Sequence, residues 1–483
     1  MSDIKHLDPK PLWENFYKLT QIPRPSKSEA KVVEFIEQFG KDLGLETYKD
    51  DVGNIIIKKP ATKGYENKKP VVMQGHMDMV PQSDGDFDFE RQPIEAYVDG
   101  EWVTANGTTL GADNGMGVAA AMTVLQSDDL EHGPIEALFT VDEETGMTGA
   151  SALKPGLLDA EILLNLDSED EGELYIGCAG GLETVARFHY KTQPAPSNTK
   201  AYKLEVKGLQ GGHSGLDIKL QRGNANKILN RVLWYASNNL DIGISSIDGG
   251  SLRNAIPRSA TAVVVVPTAQ TGEFENYAKE VHESVKNELA EVDPDVSIEL
   301  NETDLPKEVM DGKTQENLVR ALYGCPHGVM RMSDAMADLV ETSTNLAVVQ
   351  SNGEQVYVQT LQRSSVDSSK EDLGNMIRSV FELGGAEVVH EGGYPGWKPN
   401  PDSPILKTMK EVYNQHFGKV PEIKAIHAGL ETGIISQNYP NLDMISFGPT
   451  ISYPHSPGEK VNIETVKKFW TFLKETLKAV PEK

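Results

Sequence analysis

The chain is short of basic residues and nearly without cysteine, and each shortage narrows what it can be. Lys and Arg number 46 against 72 Asp and Glu, for a net charge of −26 at pH 7. A surface that acidic repels phosphate backbones and anionic lipid headgroups, so neither nucleic acid nor a membrane is an expected partner. Two cysteines, Cys178 and Cys325, are too few for a disulfide framework and fit a reducing compartment. The opening residues MSDIKHLDPKPLW have no basic segment followed by an apolar one, so no secretory signal is expected. No apolar run approaches the roughly 18 residues that a membrane-spanning helix needs. These absences together predict a cytoplasmic protein.

What is present is ordinary globular material, 39% hydrophobic and 24% charged. At 483 residues the chain should exceed one hydrophobic core. The first third alternates strand-like and helix-like segments. Residues 28–43 place Val32, Val33, Phe35, Ile36 and Phe39 near a 3.6-residue period. Residues 69–74, 135–141 and 162–166 read as strands, with Gly75 opening the turn after the first, and 116–125 as a small-residue helix buried against them. Strand 442–447 and an amphipathic helix at 463–477 continue the pattern near the C-terminus. Strands separated by helices predict an α/β fold, a mostly parallel sheet with helices on both faces. Between them the texture changes to two rounds of strands and helices, an inserted α+β lid domain of two halves. The expected division is a catalytic domain at 1–187, the insert at 188–392, and the catalytic domain again at 393–483.

Polar residues follow several of these strands. They are His76 in GHMD, Asp113 in LGADNG, Glu144 in VDEETG, Asp167 in LLNLDSED and His455 in SYPHSPGE. Two histidines and three carboxylates suit two zinc ions bridged by a shared carboxylate. Asp78 stands two residues from His76, on the same side of an extended chain, where it can accept from the second ring nitrogen. Glu143 and Glu144 are neighbours, and in extended chain they point apart, one to a metal and one to water as general base. The run Ser168-Glu169-Asp170-Glu171 reads as solvated surface. Each residue alone is as well explained by a surface turn or a helix cap. Their shared position beyond strand ends, where α/β sheets bind ligands, is what favours a site. In the insert, His213 sits between glycines in GGHSG and can reach a developing oxyanion, or simply occupy a surface loop. Arg253 and Asn254 precede a strand and could meet a substrate carboxylate or carbonyl.

GHMDMVP, LGADNG, VDEETG, NLDSED, GGHSG and NAIP, in this order, resemble the co-catalytic zinc peptidases of the aminoacylase and glutamate carboxypeptidase family. GGHSGLDIKLQRGNAN, RNAIPRSA, HAGLETG and YPHSPGE are similar to its aminoacyl-histidine dipeptidase branch. The resemblance spans nearly the whole chain. It implies one zinc on His76, Asp113 and Asp167, and a second on Asp113, Glu144 and His455. Asp113 would bridge them and be joined to Asn114 by a cis peptide. Mn²⁺ or Co²⁺ can occupy such sites. It implies that Asp78 orients His76, that Glu143 deprotonates the bridging water, and that His213 stabilises the oxyanion. Asn254, Arg253, His427, Gly429 and Glu431 would contact substrate. Thr432 departs from the cysteine common in that branch, which leaves the metal site untouched.

The resemblance therefore implies a metallopeptidase acting on unblocked dipeptides, especially Xaa-His, with beta-alanyl-histidine within range. A deacylase or aminotripeptidase on the same scaffold is the alternative. A metal-binding protein without catalysis is a third reading, disfavoured by Glu143. The doubled lid leaves both a monomer and a homodimer through the lid open.

Overall fold

Short β-branched and apolar runs build an eight-stranded sheet in the first unit. Its order is Glu46–Lys49, Ile55–Lys59, Ile135–Thr140, Val71–His76, Ile162–Asn165, Asp443–Ser446, Glu173–Cys178 and Glu422–Ile426. The strands from Ile135–Thr140 to Asp443–Ser446 are parallel, whereas Ile55–Lys59 runs antiparallel to both its neighbours and Glu173–Cys178 antiparallel to Asp443–Ser446. Strands Val71–His76, Ile135–Thr140 and Ile162–Asn165 are buried along their whole length, as parallel strands covered on both faces must be. Parallel pairing brings their C-terminal ends to one edge. His76 lies opposite Thr140, and Gln74 opposite Asn165. The residues just beyond these ends therefore gather at one place. Gly75 and His76 belong to the strand rather than to a turn, because pairing with Phe139 and Thr140 continues through them.

The helix Ala112–Gln126 packs on strand Val71–His76, and its alanines and glycines allow that close approach. A helix at Lys10–Thr20, absent from the sequence expectation, packs against it. The computed structural model describes residues 4–483, so the first three residues of the N-terminal segment lie outside the described residues. Among the described residues no helix is long and apolar enough to cross a membrane.

The chain divides into two compact units. One holds residues up to Gly177 together with Pro399–Ala425 and Leu430–Lys483. The other holds Cys178–Lys398 and Ile426–Gly429. The divisions fall at 177/178 and 398/399 rather than 187/188 and 392/393. The physical reason is strand Gly180–His189, which pairs along its whole length with Gln355–Ser364 inside the second unit.

That unit carries an antiparallel sheet ordered Ser297–Thr303, Thr199–Lys207, Ala260–Pro267, Gly243–Gly249, Val340–Ser351, Gln355–Ser364, Gly180–His189 and Glu387–Tyr394. Gly328–Met332 pairs with Val340–Ser351 off this path. The two halves are joined edge to edge into one sheet where Asp248 and Gly249 meet Gln350 and Val349. Leu204, Leu229, Val264, Leu318, Val358 and Phe381 from strands and helices of both halves share one buried core.

Candidate active site

In the first unit, the ends of the parallel strands collect acidic and imidazole side chains. His76 is buried, with Nε2 3.1 Å from Asp113 Oδ1 and 3.3 Å from Asp167 Oδ1. Its Nδ1 lies 3.3 Å from Asp78 Oδ1. Asp78 is fully buried and also accepts from Ser26 Oγ at 2.8 Å and from the backbone amides of Glu143 and Glu144. One carboxylate thus ties the His76 strand to the Glu143 turn. His455, in a left-handed conformation, places Nε2 3.1 Å from Asp113 Oδ2 and 3.1 Å from Glu144 Oε2. Asp113 turns one oxygen to each histidine. The peptide bond from Asp113 to Asn114 is cis.

Glu143 and Glu144 lie in a short helix, Glu143–Gly146, and not in extended chain. They do not point apart as expected: both can offer an oxygen within 4.8 Å of a His76 nitrogen. The run after Asp167 is also less exposed than its composition suggests. Ser168 is buried and shares a 2.7 Å hydrogen bond with Ser446 Oγ, while Glu171 accepts from Tyr413.

The donor set fits divalent cations. His76, Asp113 and Asp167 form one group able to hold an ion, and Asp113, Glu144 and His455 another, with Asp113 common to both. Asp167 Oδ1 and Glu144 Oε1 are buried oxygens with no hydrogen-bond partner. A buried carboxylate oxygen left in that state calls for a positive charge. The electrostatics agree. Burial pushes the Asp167 carboxyl up to about 6, against the pull of His76. Burial also drives Glu143 well above the ordinary carboxylate range, with Asp167, Glu431 and Glu144 adding to it and His76 opposing. Burial alone would lower His76, but Asp167, Asp113 and Asp78 outweigh it and raise it well above 6.5.

Two charged residues outside the expected site set stand behind these groups. Arg24 is buried and donates Nη1 to the carbonyls of Met77 and Asp78. Glu459 is buried and accepts from the backbone at Leu110 to Asp113. Their sequence signal was slight, a lone arginine in IPRPS and the last letter of YPHSPGE. Glu431 lies in this unit, fully buried. Its Oε2 accepts from Gln74 Nε2 at 2.6 Å and Thr140 Oγ1 at 2.7 Å, so the sheet interior claims one of its oxygens.

The second unit holds the other expected residues. His213 lies in a two-residue strand with Gly212, paired to Ala255–Ile256. Its Nδ1 accepts from the amides of Gly215 and Leu216 at 3.2 and 3.1 Å. That leaves the ring proton on Nε2. Burial, then Arg363, brings its pKa down to about 4, so the ring is neutral at pH 7. Arg363 is itself buried, with Nη2 3.5 Å from His213 Nε2. It donates Nε to Ser214 Oγ and Nη1 to Tyr394 OH. These partners are neutral, and no carboxylate pairs with Arg363 among the described residues. His427 is buried, with Nε2 2.7 Å from Ser343 Oγ, and burial with Arg363 lowers it to about 3. Gly429, two residues on, belongs to the same unit. Asn254 is exposed and its carbonyl accepts from Ser214 N at 2.8 Å. Arg253 is committed to the buried carboxylate of Glu183, which also accepts from Gln359 at 2.6 Å.

Known proteins match the chain over its whole length. The model of peptidase family M20/M25/M40 matches residues 72–479. The cytosol non-specific dipeptidase of Escherichia coli (strain K12) is 45% identical over 485 residues, covering 100% of each chain. The crystal structure of aminoacylhistidine dipeptidase from Vibrio alginolyticus is 47% identical with a TM-score of 0.94, covering 100% of this chain and 99% of that one. A tripeptidase from Staphylococcus aureus, 17% identical with a TM-score of 0.57 over 98% of this chain and 99% of its own, shares the fold alone. The chain therefore belongs to peptidase family M20/M25/M40 and is a hydrolase acting on peptide bonds.

Proposed function

We propose that the chain is a cytosolic dizinc dipeptidase that hydrolyses unblocked dipeptides, Xaa-His among them. The observation that carries this reading is Asp113, shared by two metal-capable groups with Glu143 beside them. Full-length likeness to two dipeptidases supports the substrate class.

His76, Asp113 and Asp167 would hold one ion, and Asp113, Glu144 and His455 the other. When bound, such ions polarise a carbonyl and lower the pKa of water. Glu143 takes a proton from the attacking water and returns it to the leaving amine. Asp78 holds the His76 ring in one orientation. His213 is neutral with its proton on Nε2, the form needed to donate to an oxyanion without first losing a charge. Arg363, a buried guanidinium whose partners among the described residues are neutral, suits the C-terminal carboxylate that every free dipeptide carries. Asn254 remains available to the peptide carbonyl.

The test is hydrolysis of Ala-His, beta-Ala-His, Gly-Gly-Gly and N-acetyl-His by the zinc-loaded protein, with and without a chelator. Chelator-sensitive cleavage confined to the free dipeptides is the expected result. Cleavage of N-acetyl-His would point to a deacylase, cleavage of Gly-Gly-Gly to a tripeptidase. Inertness toward all four would overturn the proposed substrate class.

A further inference from the structure

Glu459 stands four residues beyond His455 and is only 2% exposed. Both its oxygens are spent on consecutive backbone amides. Oε2 accepts from Leu110 N at 2.8 Å and Gly111 N at 3.0 Å, and Oε1 from Ala112 N at 2.7 Å and Asp113 N at 3.2 Å. Arg24 works on the other side of the same segment. Its Nη2 donates to Gly111 O, while its Nη1 holds Met77 O and Asp78 O at 3.0 Å each. The Gly111 residue is thus gripped at its N–H by an anion and at its carbonyl by a cation. Its φ is +71°, and a Cβ there would come within 2.5 Å of Arg24 Nη2, so glycine is required on both counts. Glu459 is anchored in turn. Its amide donates to Ser456 O at 3.0 Å, and its carbonyl accepts from Thr104 Oγ1 at 2.8 Å. The turn that carries His455 and the segment that carries Asp113 are therefore one hydrogen-bonded piece.

We propose that Glu459 is a positioning residue of the metal centre, locking the 110–113 backbone so that Asp113 turns one oxygen toward His76 and the other toward His455. The inference rests on the dinuclear reading given above. Freed from this lock, the Asp113 carboxylate would have to be ordered as each ion arrives, and that ordering would come out of the binding free energy. An amide cannot substitute for the carboxylate. Whichever way Gln turned, its NH₂ would face two backbone N–H donors and lose both contacts.

The experiment is calorimetric titration of the metal-free full chain with Zn²⁺, alongside thermal melts. Wild type, E459Q and E136Q are compared. Glu136 is the control because it is an equally buried carboxylate that accepts the amides of Asp159 and Ala160, at the far end of the strand that leads to Glu143. Wild type should bind two equivalents. E459Q should bind zinc about 10–100-fold more weakly, the usual loss when an outer partner of a ligand is removed. E136Q should melt earlier yet keep wild-type zinc affinity. Wild-type affinity in E459Q, or an equal loss in E136Q, would overturn the positioning role. Failure of the wild type to bind two equivalents would instead overturn the dinuclear reading beneath it. If E459Q does not fold, T104V releases only the Glu459 carbonyl and is read the same way, with a smaller loss expected.

Discussion

Glu143 and Glu144 are chain neighbours in one short helix, and their surroundings separate them. Glu144 reaches His455, while Glu143 receives no such contact and is held protonated more readily by burial. A carboxylate without a fixed partner is free to exchange protons. Glu143→Gln keeps the shape and removes the base. Its kcat on Ala-His should fall by about 10²–10⁴-fold, the range typical of a lost general base. Its zinc content should stay at that of the wild type. Loss of zinc together with activity would make Glu143 a ligand instead. Glu431 illustrates the limit of reading single residues. HAGLETG implied a substrate contact; in the structure Gln74 and Thr140 take up Oε2, while Oε1 is buried with no hydrogen-bond partner. Nothing local in sequence announces that the sheet holds one of its oxygens and leaves the other unpartnered.

Among elements, the strand ends were the most legible. A buried apolar run followed by a polar residue predicts both the strand and the edge where that residue lies, and His76, Glu144 and Asp167 follow that rule. Arg24, Glu459 and Arg363 escaped because each is a single charge whose partners lie far away in sequence. Their meaning is created by pairings such as Glu459 with Leu110, 349 residues apart. The inserted sheet has its own consequence for pH. His213 and His327 are held down to about 4 and His427 to about 3, first by burial and then by nearby Arg363 or Lys227. Below the unfolded value of about 6.5 the unfolded chain takes up protons that the folded unit refuses. Stability therefore falls as pH drops from about 6.5 toward 4. His327 accepts from Asn224 Nδ2 and Leu346 N through Nδ1, which its charged form cannot do. Melting between pH 7.5 and 5 should show a decline in wild type and a shallower one in His327→Gln. Equal slopes would remove His327 from the account.

On the scale of the whole molecule, the chain carries an excess of acid. It gives the chain its net charge of −26, and part of it is a buried knot of carboxylates at the strand ends that calls for cations. The two-unit division was legible as a change of texture, but its boundaries were not. Strand Gly180–His189 belongs with partners from residues 355–364, a pairing that no local pattern announces. The claim that unites these scales is that two ions share Asp113 and that both are needed for turnover. Its most direct test is to add Zn²⁺ stepwise to the metal-free protein while following hydrolysis of Ala-His. The account predicts activity that saturates only at two equivalents per chain. Full activity at one equivalent, or without metal, would contradict it.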